Sequence, residues 1–320
     1  MDSVRIGVVG TGKMGRYHVN ILASLPSVQF SCVVDTDEDK LQTISNKYDV
    51  KGFNDYHKIF RMVDAVVIAT PTNTHFEIAK DFLEAGKHVL IEKPLTETVE
   101  QAKELIDLAR NKKLIIQVGH VERFNAAVQQ LQKIVRSPYL IESVRCGPTD
   151  KRIKDVGVVM DLMIHDIDII LNIVNEEPKI INAVGHRIFS EHEDVACAHI
   201  LFESGCIANI TASRVTQYKE RILRISQKDC FVSLNYGEQD LEIHRQASSA
   251  YLLTPEEIKY SQESFVEKLY IQKDNPLKLE LSHFVACING KEKPIVENEN
   301  DLMALKLARD IVKIIHSNYK

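Results

Sequence analysis

Three side chains in this sequence combine type and spacing suited to proton chemistry. Lys93 lies in Glu92-Lys93-Pro94, and Asp161 and His165 stand four residues apart in Asp161-Leu-Met-Ile-His165. Histidine titrates near neutral pH, so it can take a proton from a hydroxyl and give it back. A carboxylate one helical turn away favours the charged ring and orients it. Pro94 biases Lys93 toward an extended backbone and has no N–H of its own. A lysine held this way and partly desolvated can share or relay charge developing on an oxygen. The plainer readings are a solvated loop lysine and an amphipathic helix with an ordinary polar stripe. A metal would need a third ligand at suitable spacing beside the Asp/His pair, and none is found, so no metal is expected.

A second group of residues suits phosphate binding. Gly10-Thr-Gly12-Lys13-Met14-Gly15 follows an apolar run, Val4–Val9, and opens a helical pattern. Gly10 permits a tight turn, Gly12 admits a pyrophosphate to the backbone, and Gly15 lets the helix pack close to the strand. Asp35 ends the next apolar run, 20 residues after Gly15, where a carboxylate would accept hydrogen bonds from the adenosine ribose. Asp37, Glu38 and Asp39 follow it, with no Arg nearby and Lys40 as the adjacent cation. That acidic surrounding would repel a 2′-phosphate, so NAD is expected over NADP.

The elements that must position these residues follow from periodicity. Val4–Val9, Val28–Val34, Ala65–Ala69, His88–Ile91 and Leu114–Val118 are short, continuous apolar runs, the pattern of strands buried on both faces. Helical patterns over Met14–Ser24, Glu38–Tyr48, Thr74–Ala85 and Thr98–Asn111 lie between them, with Thr96-x-Thr98 and Gln101 forming a capped start. Alternation of this kind predicts a doubly wound parallel sheet, with ligands at the carboxyl ends of its strands. Thr70-Pro71-Thr-Asn73-Thr-His75 falls at such an end, as does Glu92-Lys93-Pro94.

Val156–Val174 reads as a largely buried helix that carries Asp161, His165, Asp168 and Asn172 on one stripe. Strand patterns recur near 139–146, 180–189, 194–203, 206–214, 221–227, 229–235 and 241–245, with a hairpin turn at Glu203-Ser-Gly205. Ala208, Ile210 and Ala212 alternate with Asn209, Thr211 and Ser213, which predicts one packed and one more polar face. Leu277–Asn289 and Glu299–His316 read as packing helices.

Composition narrows the classes. With 320 residues, 44% apolar and 27% charged, the chain is globular and long enough for two domains. A formal net charge of −5 argues against nucleic-acid binding. No run reaches the roughly 18 apolar residues of a membrane span, and the start MDSVRIGVVG is not a signal peptide. The six cysteines form no CxxC pair and fit reduced thiols of a cytoplasmic protein.

With the glycine motif, Asp35 and Glu92-Lys93-Pro94 in order, the sequence resembles the Gfo/Idh/MocA oxidoreductases. The resemblance continues through Val118-Gly119-His120-Val-Glu-Arg123-Phe124-Asn125 and Asp161-Leu-Met-Ile-His165-Asp-Ile-Asp168, and so covers the chain. It implies an N-terminal Rossmann NAD-binding domain over 1–120. It also implies a substrate-binding and oligomerisation domain over 121–320, α/β with a large, mostly antiparallel open sheet. By the same resemblance Lys93, Asp161 and His165 are catalytic. Gly10, Gly12, Lys13, Met14, Gly15, Asp35, Thr70, Pro71, Asn73, His75, Glu92 and Lys93 contact cofactor. Arg123 and Asn125, with Asp161 and His165, contact substrate.

The implied reaction is hydride transfer between a nicotinamide and a sugar secondary alcohol. Its sharpest form is oxidation of the 3-hydroxyl of UDP-N-acetylglucosamine. Inositol or free-sugar oxidation and a non-catalytic dinucleotide sensor are the alternatives. Arg123, Arg214 and Arg221 are candidates for a substrate diphosphate. Departures are Met163 where glycine is frequent, Ala126 where proline is frequent, and a glycine run reduced to Gly157.

Overall fold

The computed structural model describes residues 3–149, 156–246 and 264–318. The chain divides into two compact units, Met1–Phe124 with Asp274–Lys306, and Asn125–Lys273 with Leu307–Lys320.

The first unit is built on a parallel sheet of six strands: β1 (Val4–Val9), β2 (Val28–Val34), β3 (Lys51–Phe53), β4 (Ala65–Ile68), β5 (His88–Glu92) and β6 (Ile116–Gly119). Their order is β3-β2-β1-β4-β5-β6, and every pairing is parallel. Helices α1 (Lys13–Leu22), α2 (Glu38–Tyr48), α3 (His75–Glu84) and α4 (Val99–Lys112) connect them. All four residues of β4 are buried, as the apolar run requires. Thr98 and Gln101 form the expected reciprocal cap of α4. The edge strand β3 is an addition to the sequence reading. It is three residues long and exposes Lys51 and Gly52, so it leaves no apolar signal.

The second unit contains α5 (Ala126–Ile134), β7 (Pro138–Cys146), α6 (Ile164–Val174), β8 (Pro178–His186), β9 (Val195–Phe202), β10 (Ile207–Ser213), β11 (Glu220–Gln227), β12 (Cys230–Asn235), β13 (Asp240–Gln246) and β14 (Ser264–Lys268). Its eight strands run β14-β13-β12-β11-β7-β10-β9-β8, antiparallel except for the β7/β10 pair. Helices α5 and α6 pack on one face, over β7, β10, β12 and β13. The alternation in β10 holds over most of the strand: Ala208, Ile210 and Ala212 are buried and Asn209 and Thr211 half-buried on the other face, but Ser213, read with the polar face, is buried. Glu203-Ser-Gly205 turns the β9/β10 hairpin, with Gly205 at φ +87°.

Two more helices end the chain, α7 (Pro276–Ile288) and α8 (Asn298–Ser317). The division between the units falls inside α8, so α7 and the first turns of α8 belong with the nucleotide-type sheet. No described helix is long and apolar enough to cross a membrane. All six cysteines are free, and burial pushes the Cys32 thiol up to about 12 and those of Cys206 and Cys287 to about 11. None of those three is a nucleophile at neutral pH.

Two buried arginines in the second unit are paired with buried carboxylates. Arg145 stacks over the Tyr236 ring at 4.7 Å and donates to both oxygens of Asp166, at 2.6 and 3.2 Å. Arg214 donates to Asp194 at 2.7 Å and to the Val156 carbonyl at 2.8 Å. Asp194 also accepts N–H bonds from Ile188, Phe189 and Ser190. Burial opposes its ionisation, but these donors hold its carboxyl far below the ordinary range. A depressed acid stabilises the fold above its unfolded pKa, and that contribution is lost as pH falls through the folded value. Asp194→Asn is therefore expected to lower unfolding free energy by about 3–5 kcal/mol at pH 7. Urea denaturation checks this, and the deficit should shrink below pH ~4.

Candidate active site

The glycine motif does what its spacing predicts. Gly10 has φ +89°, and a Cβ there would lie 2.4 Å from the Ala69 carbonyl oxygen. A Cβ at Gly15 would lie 1.9 Å from the Gly10 carbonyl oxygen, so α1 can seat on β1 only without one. At Gly12 a Cβ would meet nothing within 4 Å. The first turn of α1 has no side-chain cap and no acidic residue, which leaves its backbone N–H groups directed at that opening. The residues present fit a dinucleotide pyrophosphate at Gly12, with exposed Lys13 and half-buried Met14 beside it.

Asp35 directly follows β2 and anchors this loop. Its Oδ2 accepts from the Thr11 N–H and hydroxyl, both at 2.6 Å, and its Oδ1 accepts from the Asp37 N–H at 2.9 Å. Lys40 is drawn to Asp37 at 2.6 Å. Contrary to the expectation from the residues after Asp35, an arginine is nearby. Arg16 on α1 donates to the Thr11 carbonyl at 3.2 Å, and its charge acts on Lys40. The helix turn brings it there from the glycine side rather than from the residues after Asp35. Asp35→Ala is expected to weaken NAD binding more than NADP binding, and fluorescence titration with both dinucleotides reads the ratio. An unchanged ratio would assign cofactor choice to other residues.

The loops after β4 and β5 are fastened together by His75. Its ring is buried, with Nδ1 2.9 Å from the Pro94 carbonyl and Nε2 2.9 Å from the Thr70 carbonyl. Burial lowers its pKa against the pull of those carbonyls. A neutral ring carries one N–H and so donates to one of the two carbonyls, not to both. Pro71 and Asn73 are exposed at the tip, and the Thr74 hydroxyl lies 2.8 Å from both the Thr70 hydroxyl and the Pro71 carbonyl, donating to one of them. Glu92 is buried, with Oε1 2.7 Å from His18 Nε2. Lys93 follows it, half-buried, with a cis bond to Pro94.

Asp161 and His165 lie in the second unit. The helix opens with a π-helical turn, Val159–Met163, before α6 proper. Asp161 sits inside that turn and His165 one turn on, both half-buried. A π turn takes more residues per revolution than an α turn, and such insertions often occur at functional sites. The helix start is held by residues the sequence reading missed. Glu193 is buried and receives the Val159 N–H on Oε1 at 3.3 Å, while its carbonyl receives the Val158 N–H at 2.8 Å. A Cβ at Gly157 would fall 1.9 Å from that same Oε1, which explains the surviving glycine. A carboxylate here also complements the positive end of the helix dipole. Met163, in place of glycine, is fully buried.

The arginine candidates divide. Arg123 is buried against Asp301 at 2.5 Å, and Arg214 is buried against Asp194, so neither is a solvent-facing phosphate ligand. Their charges are matched by carboxylates far off in sequence, which no local pattern announces. Arg221 is exposed on β11. Asn125 caps α5 through the Ala127 N–H and donates to the Tyr236 carbonyl at 3.0 Å.

A glycine cradle at the strand ends, an acidic β2 terminus and a Lys93 loop define an NAD-binding oxidoreductase. Comparison with known proteins agrees. Residues 4–120 match the oxidoreductase family with an NAD-binding Rossmann fold, and residues 124–244 match the Gfo/Idh/MocA C-terminal domain. The chain belongs to the Gfo/Idh/MocA family, as an NAD(P)-dependent dehydrogenase acting on CH–OH groups, with NAD as cofactor.

Among curated relatives, UDP-N-acetylglucosamine 3-dehydrogenase of Acidithiobacillus ferrooxidans is 34% identical over 249 residues, covering 78% of this chain and 79% of that one. A solved structure of that enzyme superposes with a TM-score of 0.90 at 30% identity, covering 99% of both chains. Myo-inositol 2-dehydrogenase of Thermotoga maritima is 27% identical, covering 95% of this chain and 94% of that one.

Proposed function

We propose that this chain oxidises the 3-hydroxyl of UDP-N-acetylglucosamine, with NAD as hydride acceptor. The observation that carries the reading is its likeness to an enzyme of that activity along nearly its whole length. In this reading residues 1–120 serve the cofactor, and residues 121–320 serve substrate and assembly.

His165 takes the proton of the substrate hydroxyl while the hydride leaves the carbon, so the alcohol becomes a ketone and the ring an imidazolium. Asp161 orients the ring and stabilises its charge. Lys93 shares the developing alkoxide charge. Gly10, Gly12, Lys13, Met14, Gly15 and Asp35 hold the dinucleotide, with Thr70, Pro71, Asn73 and Glu92 along its nicotinamide half. His75 sets that loop. Arg123 and Asn125 position the walls through Asp301 and Tyr236.

The open face of the large sheet supports a homo-oligomer, and six free cysteines fit a cytoplasmic location. Ile180 and Val184 of β8 are exposed on it, and Val184 pairs across to Cys197, which faces Thr211. Light scattering of the purified chain reads its subunit count.

The activity test is NADH formation with UDP-N-acetylglucosamine beside myo-inositol and free N-acetylglucosamine, with a carbonyl trap present. Signal with the nucleotide sugar supports the reading. Signal with inositol instead favours the second reading, an inositol dehydrogenase, which the Thermotoga relative motivates.

A further inference from the structure

Glu193 is buried in the loop between β8 and β9, next to Asp194. That loop is fastened from several sides. The Asp194 N–H donates to the His186 carbonyl at 2.8 Å, and the Arg214 N–H donates to the Asp194 carbonyl at 2.9 Å. The Asp194 carboxylate gathers the N–H groups of Ile188, Phe189 and Ser190. Glu193 is therefore presented from a fixed edge before it meets the helix of Asp161 and His165.

Its contacts converge on one glycine. A Cβ at Gly157 would lie 1.9 Å from Oε1, 2.1 Å from Cδ and 2.4 Å from Oε2, so the carboxylate rests on the bare Cα. The peptides on either side of that glycine are both held. Arg214 donates to the Val156 carbonyl at 2.8 Å. Glu193 takes the Val158 N–H on its carbonyl at 2.8 Å and the Val159 N–H on Oε1 at 3.3 Å. The Gly157 carbonyl in turn receives the Asp161 N–H at 3.0 Å, so one contact and one hydrogen bond join Glu193 to Asp161. The second carboxylate oxygen, Oε2, stands 3.5 Å from His316 Nε2 near the end of α8.

A cap that only started a helix would serve any turn geometry. Here the turn is π-helical over Val159–Met163, with Asp161 inside it and His165 after it. In a regular α-helix, residues four apart are offset by about 40° around the axis. A π turn rotates less per residue, so it narrows that offset and draws the carboxylate into line with the imidazole. Such turns are rare, and one placed within the Asp161–His165 pair needs a group that selects it.

We propose that Glu193 is a positioning residue for the proton-handling pair: seated on Gly157, its carboxylate selects the π turn and so sets Asp161 against His165. The role rests on Asp161 and His165 being the catalytic pair. Gly157 belongs to the same arrangement, because any larger residue there displaces the carboxylate.

The test is a double-mutant cycle on Glu193→Ala and Gly157→Ala, with Glu193→Gln, Glu193→Asp and His165→Asn beside it. For each, kcat, KM, NAD affinity and melting temperature are measured, with every assay run below the lowest melting point. The substrate is UDP-N-acetylglucosamine, or myo-inositol if that is the sugar wild type oxidises. Glu193→Ala should lower kcat at least about tenfold, with KM and the NAD Kd within about threefold of wild type. Glu193→Gln keeps an acceptor for the Val159 N–H and should recover kcat to within about threefold. Glu193→Asp keeps the charge but withdraws it from that N–H, and should lose at least about fivefold. Gly157→Ala should cost at least about tenfold alone but less than about twofold in the Glu193→Ala background, since the atoms it would strike are gone.

Additive losses in the cycle would overturn the link through Gly157. Losses of kcat that follow melting temperature, with no recovery in Glu193→Gln, would make Glu193 a structural cap alone. Near-wild-type kcat in Glu193→Ala, with His165→Asn inactive, would overturn the positioning role and leave the catalytic reading standing. Full turnover in His165→Asn would overturn the catalytic reading and the positioning role with it.

Discussion

His165→Asn lowers kcat by about 10²–10⁴ while NAD affinity stays within about twofold of wild type. Asparagine keeps polarity and approximate size but cannot take up a proton. The acid limb of kcat/KM, where the neutral imidazole is needed, should disappear with it. Steady-state kinetics over pH 5–9, with an NAD titration of the same protein, checks both parts. The helix should survive, because its start is held by Glu193 and Arg214 rather than by His165. Near-wild-type turnover would remove His165 from the mechanism.

Lys93→Met is the second large effect. Methionine keeps much of the apolar stem and removes the ammonium. Turnover should fall by at least about 10², with NAD still bound. The loop should hold its shape, because the buried His75 ring sits between the Pro94 and Thr70 carbonyls without using the Lys93 side chain. Comparison of kcat with NAD Kd separates lost chemistry from lost binding. A variant that loses both in proportion would place Lys93 in cofactor binding alone.

Much of the first unit was legible because its signals are local. A glycine spacing, four buried residues in β4 and a reciprocal Thr98/Gln101 cap each declare themselves within a few positions. The helix with Asp161 and His165 was legible for the same reason, although its π turn was not. Short polar elements escaped, as the exposed edge strand β3 did. So did the return of α7 and the first part of α8 to the first unit, which depends on contacts some 160 residues apart.

The support of the site was the least legible part. Glu193 stands 36 residues from Gly157, and only folding brings its carboxylate to the place a Cβ would fill. Arg123 and Asp301 are 178 residues apart, yet their pairing makes Arg123 a buried, matched charge and not a solvent-facing cation. Arg16 comes to the Asp35 loop around the first turn of α1, so no pattern along the strand end announces it. Catalytic candidates follow motif spacing, whereas the groups that hold them follow topology.

The most direct measurement uses UDP-N-acetylglucosamine deuterated at C3 of the amino sugar, with mass analysis of the reduced cofactor. The account predicts one deuterium in NADH, a slower rate than with unlabelled substrate, and a 3-keto sugar in the trap. Turnover that leaves the deuterium on the sugar would contradict hydride transfer from that carbon. So would loss of the label to water without NADH formation.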